Sequence, residues 1–112
     1  MKDREMLNGK ESSFVDDELS NIIYSMLNEI GVMNNLQVPE EMDFETKIVG
    51  VQGILDSLAF VSFLVAVEQK INEKFDKHIS LNSERAFAQK QNPFRSVGTL
   101  RQYITDNWDD DN

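Results

Sequence analysis

A chain of 112 residues with 40% hydrophobic content has room for one domain with one modest core. Its formal net charge of −9 disfavours binding to nucleic acid or anionic membranes, and it favours basic patches on partner proteins. The absence of cysteine excludes disulfides and thiolate metal sites.

The first predicted element is an amphipathic helix that follows a polar lead-in. Residues 1–14 are mostly polar and are predicted to be disordered. Asp16 or Asp17 is expected to cap the helix, and Gly31 is expected to end it by adopting a positive φ. The apolar residues between them recur with a helical period and predict one buried face: Leu19, Ile22, Ile23, Met26, Leu27 and Ile30.

A long loop is predicted from Val32 to Leu55. Asparagine, proline and glycine interrupt this segment, and no apolar period is sustained. A connection of this length in a small domain is usually functional or held by its own side chains. Six apolar residues are expected to hold it against the core: Phe44, Ile48, Val49, Val51, Ile54 and Leu55.

The second helix is predicted to begin near Ser57 and to end at residues 78–80. Asp56 and Ser57 are both suitable N-cap residues. Its inward-facing positions are predicted from the helical period: Phe60, Phe63, Leu64, Val67, Ile71 and Phe75. Three more apolar residues lie partly off this face and either complete the core or form a second apolar face: Leu58, Val61 and Val65.

A short helix over 84–90 and a final helix capped by Ser96 complete the chain, and Pro93 separates the two. The final helix has apolar residues at helical spacing: Val97, Leu100, Tyr103, Ile104 and Trp108. The acidic tail 109–112 is predicted to be solvated. No segment alternates as a strand does, so the predicted fold class is all-α, with one domain over 15–108.

Ser57 is the most prominent reactive group of the chain, because there is no cysteine and the only histidine is His78. A single histidine provides neither a nucleophile–base pair nor a metal site, so we expect no enzymatic activity. The Asp56–Ser57 pair has two interpretations. Both residues cap a helix, or the serine is presented for modification at the positive end of the helix dipole, where a phosphate ester is stabilised.

The segment GILDSLAFVSFLVAVEQ at 53–69 resembles the modification site and second helix of acyl carrier proteins. Its first six residues are most similar to D-alanyl, aminoacyl and peptidyl carriers. The amphipathic first helix, the long loop and the segment SVGTLRQYI at 96–104 fit the same family. The resemblance covers about 15–108 and implies an acyl-carrier-protein-like bundle of three main helices plus one short helix.

The resemblance implies a 4′-phosphopantetheine arm attached to Ser57 by a phosphopantetheinyl transferase, with Asp56 and Leu58 beside it. The arm carries acyl, aminoacyl or peptidyl groups as thioesters and provides the thiol that the chain lacks. Further expected partners are an acyl- or aminoacyl-loading enzyme and downstream acyl-processing enzymes. The second helix is the docking surface in the family, so three of its residues are expected to contact partners: Val61, Val65 and Glu68.

Two features depart from the fatty-acid carriers of the family. Ser62 and Gln69 are neutral where those carriers usually have carboxylates, which favours a specialised pathway over housekeeping lipid synthesis. The stretch 77–95 is longer than the usual connection. The alternative from another class is a small acidic helical interaction module without a prosthetic group. No secretory signal or membrane-spanning run is visible, so the expected location is the cytoplasm. The chain is expected to be a monomer.

Overall fold

Three α-helices make up most of the regular secondary structure in the residues that the structure describes. The computed structural model describes the chain, with side chains from residue 14 onward, over 2–50, 52–81, 86, 88 and 92–108. The helices are α1 (Lys2–Met33), α2 (Ser57–Phe75) and α3 (Val97–Asp106). No strand occurs in these ranges, where pairing of extended backbone is limited to two isolated bridges. This architecture agrees with the predicted all-α class.

Helix α1 begins earlier than the apolar period indicated. Its backbone is helical from Lys2, so Asp16 and Asp17 lie inside the helix and the predicted N-cap there is wrong. The Asp16 carbonyl accepts a hydrogen bond from the Ser20 hydroxyl at 3.0 Å, a bond typical of a helix interior. Periodicity could not place the start because the residues before Val15 have no apolar period. The domain boundary at residue 14 stays a prediction.

Helix α1 ends in a Schellman motif beyond Gly31, so the prediction that Gly31 ends the helix is wrong. The Leu36 N–H donates to the Gly31 carbonyl at 2.8 Å, and the Asn35 N–H donates to the Val32 carbonyl at 3.1 Å. Asn35 has the left-handed backbone of this motif, with φ 60°. Gly31 is buried, and a Cβ at this position would collide with the Val38 side chain.

Helix α2 ends at Phe75, before the predicted end at 78–80. Asp76 adopts a left-handed backbone with φ 55°, and its N–H donates to the Asn72 carbonyl. The Asn72 side chain donates to the Ile79 carbonyl at 3.2 Å and accepts the Ile79 N–H at 2.9 Å. These bonds fold the chain back over the end of α2 and bring Ile79 into the core.

Helix α3 begins at the predicted cap. The Ser96 hydroxyl accepts the Thr99 N–H at 3.3 Å, and the Thr99 hydroxyl accepts the Ser96 N–H at 3.0 Å, which together form a capping box. The short helix predicted over 84–90 lies largely outside the described residues. Ala86, within that stretch, is buried.

The core lies where α1 packs against both α2 and α3. Most of the predicted inward positions are buried: Leu19, Ile23, Met26, Leu27, Ile30, Phe63, Leu64, Val67, Ile71, Val97, Leu100, Tyr103 and Ile104. Trp108 lies beyond the end of α3 and packs edge to face on Phe75, with ring centroids 5.1 Å apart. None of the described helices is both long enough and apolar enough to cross a bilayer.

The loop between α1 and α2 is held by residues 44–49, which begin in a turn and continue through two isolated bridges, and which we call the bridging segment. Four of the predicted anchors pack in or against the core: Ile48, Val49, Ile54 and Leu55. Val51 lies outside the described residues. Phe44 is 46% exposed, which corrects its prediction as an inward anchor. The Arg101 guanidinium covers its ring at 4.2 Å from the centroid.

Candidate functional site

Asp56 and Ser57 have different roles at the start of α2. Asp56 has extended backbone, with φ −84° and ψ −179°, and is the N-cap. Its carboxylate accepts the Ala59 N–H at 2.9 Å, and its carbonyl accepts the Phe60 N–H at 2.9 Å. Ser57 is the first residue of the helix itself, so the cap is complete without the serine hydroxyl.

Ser57 is exposed to solvent at the N-terminus of α2. Across the described residues, its hydroxyl has no hydrogen-bond partner. The helix dipole and the unpaired amides of a first turn favour an anion at this position. The first turn of α2 adds no further acidic residue to the Asp56 carboxylate that caps it. The geometry therefore suits a serine that receives a phosphate ester.

The turn that leads into α2 requires glycine at position 53. The Gly53 N–H donates to the Gly50 carbonyl at 3.0 Å, and Gln52 inside the turn has φ 66°. A Cβ on Gly53 would lie 2.6 Å from backbone atoms of Val49. Only glycine fits this close approach without moving the chain. The lack of a side chain at Gly53 therefore lets the Val49 backbone pass close to it and form a bridge with Leu55.

The bridging segment is bonded to the residues immediately before α2. The Ile48 carbonyl accepts the Leu55 N–H at 2.8 Å, and the Lys47 carbonyl accepts the Ile54 N–H at 3.2 Å. On its other side, the Ile48 N–H donates to the Arg95 carbonyl at 2.9 Å. Ile48 is fully buried, so its backbone is held from both sides and its side chain is fixed in the core.

The same segment is bonded to the start of α3. The Thr46 carbonyl accepts the Val97 N–H at 3.0 Å, and the Phe44 carbonyl accepts the Gly98 N–H at 2.8 Å. These are two of the first amides of a helix, which have no partner inside the helix itself. The bridging segment therefore completes the N-terminus of α3 while it holds the approach to Ser57.

The α2 stripe, which we define as Leu58, Val61 and Val65, faces solvent. These side chains are 83%, 50% and 42% exposed, so they do not complete the core. Their spacing of three and four residues places them on one side of the helix, beside Ser57. Ser62 is also exposed. Adjacent exposed aliphatic side chains suit contact with an apolar surface of a partner.

Glu68, predicted as a docking residue, contributes to the fold. Its carboxylate accepts the Leu81 N–H at 2.8 Å, and the residue is half-buried. This bond attaches the start of the long stretch 77–95 to α2. The sequence does not show it, because the two residues are 13 positions apart and no local pattern joins them. A docking role for Glu68 stays a prediction.

A groove of about 580 Å³ lies between α1 and α2. Its lining combines apolar and charged residues: Glu18, Asn21, Ile22, Ser25, Met26, Lys70, Glu73 and Lys74. Lys74 and Glu18 form an ion pair at 3.0 Å. Lys70 is about 20 Å from Ser57 along the helix axis, at 1.5 Å per residue. The groove is therefore separate from the Ser57 site.

Metal-binding geometry is absent from the part of the chain that the structure describes. No group of three or more histidine or acidic side chains is arranged to hold an ion there. His78 is exposed in the segment after α2.

No family model, no curated protein and no solved structure matches this chain. The resemblance to acyl carrier proteins therefore depends on the motif residues alone.

Sequence reasoning located Asp56 and Ser57 but missed the backbone that holds them. Gly53 appeared only as part of a motif, although a glycine just before a helix cap is a signal for close backbone approach. The pairing of the bridging segment with the start of α3 has no sequence signal. Isolated bridges are too short to produce the alternation by which strands are predicted.

Proposed function

We propose that this chain is a carrier protein that holds acyl, aminoacyl or peptidyl groups as thioesters on a 4′-phosphopantetheine arm at Ser57. One observation carries the proposal. Asp56 alone caps α2, and the exposed Ser57 hydroxyl has no partner among the described residues. A serine whose role was to cap the helix would bond its oxygen to a backbone amide. The motif resemblance supplies the identity of the group.

Attachment of the arm forms a bond between the Ser57 oxygen and the pantetheine phosphate of coenzyme A. The phosphoanhydride bond to the nucleotide breaks, and the hydroxyl proton goes to a base. In the described structure no side chain is bonded to the Ser57 hydroxyl as a base, so the transferase provides one and binds any magnesium during the encounter. When bound, the arm supplies the thiol that carries the cargo.

The surroundings of Ser57 support the same proposal. Three helices with a long loop between the first and second are the arrangement that an acyl-carrier-protein-like bundle requires. The α2 stripe begins at Leu58, next to the attachment point, so a partner that covers the stripe also reaches Ser57. Its partners in this proposal are the transferase, a loading enzyme and acyl-processing enzymes.

The physical advantage of a carrier is proximity. A tethered intermediate does not diffuse away, and it meets each partner active site at a raised effective concentration. A cytoplasmic monomer with neutral Ser62 and Gln69 on its docking helix fits a specialised pathway. Its partners would be guided to α2 by apolar contact more than by charge.

The exposed α2 stripe also favours a second candidate, an acidic interaction module without an arm. In that case Val61 and Val65 would pack against a partner helix, and the Ser57 hydroxyl would be unmodified. The two candidates differ in one covalent bond, so a mass measurement separates them.

The test is incubation of the protein with coenzyme A, magnesium and a broad-specificity phosphopantetheinyl transferase, followed by intact-mass spectrometry. We expect the wild type to gain one phosphopantetheinyl group. Ser57→Ala is expected to gain none, because it lacks the acceptor oxygen. Ser62→Ala is the matched control, since it removes an exposed serine from the same helix and is expected to be modified like the wild type.

An unmodified wild type, under conditions that modify a known carrier protein, would contradict the carrier proposal and favour the interaction module. If the Ser57→Ala variant were modified, the attachment site would be a residue other than Ser57.

A further inference from the structure

We propose that the start of α3 positions Ser57, with Gly98 as the positioning residue and the bridging segment as the connection. This inference rests on the proposed modification of Ser57. It is carried by a continuous set of backbone hydrogen bonds that links the first turn of α3 to the residues before the α2 cap.

The first step is the contact between Gly98 and Phe44. The Gly98 N–H donates to the Phe44 carbonyl at 2.8 Å. A Cβ on Gly98 would lie 3.0 Å from that carbonyl oxygen and 3.2 Å from the Phe44 Cβ. Contacts this tight require the neighbour to move by a few tenths of an ångström. Any side chain at position 98 therefore displaces the bridging segment from the start of α3.

The second step carries that displacement towards Ser57. Ile48 is fully buried, donates to the Arg95 carbonyl and accepts the Leu55 N–H at 2.8 Å. Leu55 is the residue immediately before the Asp56 cap, and its side chain is buried too. The segment therefore has little freedom to absorb a shift, and the shift reaches the cap and Ser57.

The backbones of α2 and α3 do not approach each other closely. In the described ranges both helices pack on α1, and their buried side chains belong to one core. Besides the bridging segment, a ring contact connects the two helix starts: Phe60 on α2 meets Phe94 edge to face at 5.3 Å. Phe94 precedes the α3 cap, so this contact ties the same two regions together.

Gly98→Ala tests the positioning role of Gly98, because the substitution is expected to stabilise α3 while it displaces the bridging segment. Alanine strengthens α3 itself, because its helix propensity exceeds that of glycine. The new methyl group also pushes on Phe44. We expect kcat/KM for phosphopantetheinyl transfer to Ser57 to fall about threefold, because the acceptor oxygen is misplaced. Amide hydrogen exchange at Ile54 and Leu55 is expected to accelerate about threefold as their bonds loosen.

Thr105→Ala is the matched control, because it introduces alanine at the other end of α3. The Thr105 hydroxyl donates to the Gln102 carbonyl at 3.0 Å, and the residue lies in the last turn of α3, whereas Gly98 lies in the first. We expect wild-type transfer kinetics and wild-type exchange at Ile54 and Leu55. Thermal unfolding of all three proteins establishes that each is folded during the assay.

The outcomes separate this inference from the proposed function. Wild-type transfer kinetics in Gly98→Ala would overturn the positioning role while leaving Ser57 as the attachment point. Unchanged exchange at Ile54 and Leu55 would overturn the connection through the bridging segment. If no transferase modifies the wild type, the proposed function and the positioning of its acceptor are both refuted. Amide hydrogen exchange at Ile54 and Leu55 would still report whether the start of α3 is coupled to the residues before α2.

Discussion

Asp56 and Ser57 are adjacent residues with similar capping ability, and their positions relative to the helix decide what each one does. The residue with extended backbone directly before the first helical residue can direct its side chain back to the free amides, and here that residue is Asp56. Ser57 is one position further along and already helical. Its hydroxyl is therefore available for chemistry without loss of the cap.

The division of roles at the cap predicts different stabilities for substitutions of the two residues. Asp56→Ala removes the acceptor for the Ala59 N–H and is expected to lower the free energy of unfolding by about 1 kcal/mol. Asp56→Asn keeps an acceptor oxygen and is expected to stay within about 0.5 kcal/mol of the wild type. Urea denaturation provides the measurement. A larger loss from Ser57→Ala than from Asp56→Ala would show that the cap is assigned to the wrong residue.

At the scale of elements, the helix ends depend on backbone conformation more than on apolar period. Gly31 is the residue whose type suggested a helix end, yet it remains helical, and its lack of a side chain leaves room for Val38. Asn35 takes the left-handed position four residues later. The glycine of α1 thus serves the packing of the following chain, and the Schellman motif at Asn35 ends the helix.

The left-handed conformation of Asn35 at the end of α1 predicts that alanine and glycine at this position differ in their effect on stability. Asn35→Ala places a Cβ in a left-handed conformation and is expected to lower the free energy of unfolding by about 1 kcal/mol. Asn35→Gly has no such cost and is expected to match or exceed the wild type. Thermal or chemical denaturation distinguishes the two. Equal stability of the two variants would mean that residue 35 does not hold this conformation in solution.

The whole molecule divides α2 into a face that packs and a face that does not. Phe63, Val67 and Ile71 are fully buried between the helices, whereas the α2 stripe is exposed beside Ser57. Apolar character alone does not separate these two sets, because both consist of aliphatic or aromatic residues. The distinction comes from the way α1 covers one side of α2.

This division predicts that replacing valine by serine lowers transferase activity on the exposed face of α2 and lowers stability on the buried face. The double variant Val61→Ser, Val65→Ser is expected to lose about 1 kcal/mol or less of stability, because both side chains are near half exposed. Its kcat/KM with the transferase is expected to fall about tenfold, since apolar contacts beside Ser57 are lost.

Val67→Ser is the matched control for the stripe variant. It makes the same change at a fully buried position of α2 and is expected to lose about 2 kcal/mol or more of stability. While it remains folded, it should be modified at close to the wild-type rate. Unchanged transferase kinetics in the stripe variant would remove these residues from the docking surface.

Much of the fold was predictable because its signals are local. The apolar period placed the buried faces of all three helices, and the residue types at Asp56 and Ser96 placed two helix starts. The sequence was insufficient where no local pattern marks a feature. The start of α1 has no period to mark it, and Glu68 bonds to Leu81 in a later segment.

The sequence by itself determined the helical periods, the N-caps of α2 and α3 and the presence of a serine at the start of α2. Those features arise from contacts between residues a few positions apart, so their residue types are sufficient to predict them. The tertiary structure alone decided that Ser57 and the α2 stripe are exposed and that the bridging segment joins the starts of α2 and α3. Exposure and long-range backbone bonds depend on which surfaces meet in the folded chain, and residues far apart in the sequence determine that together.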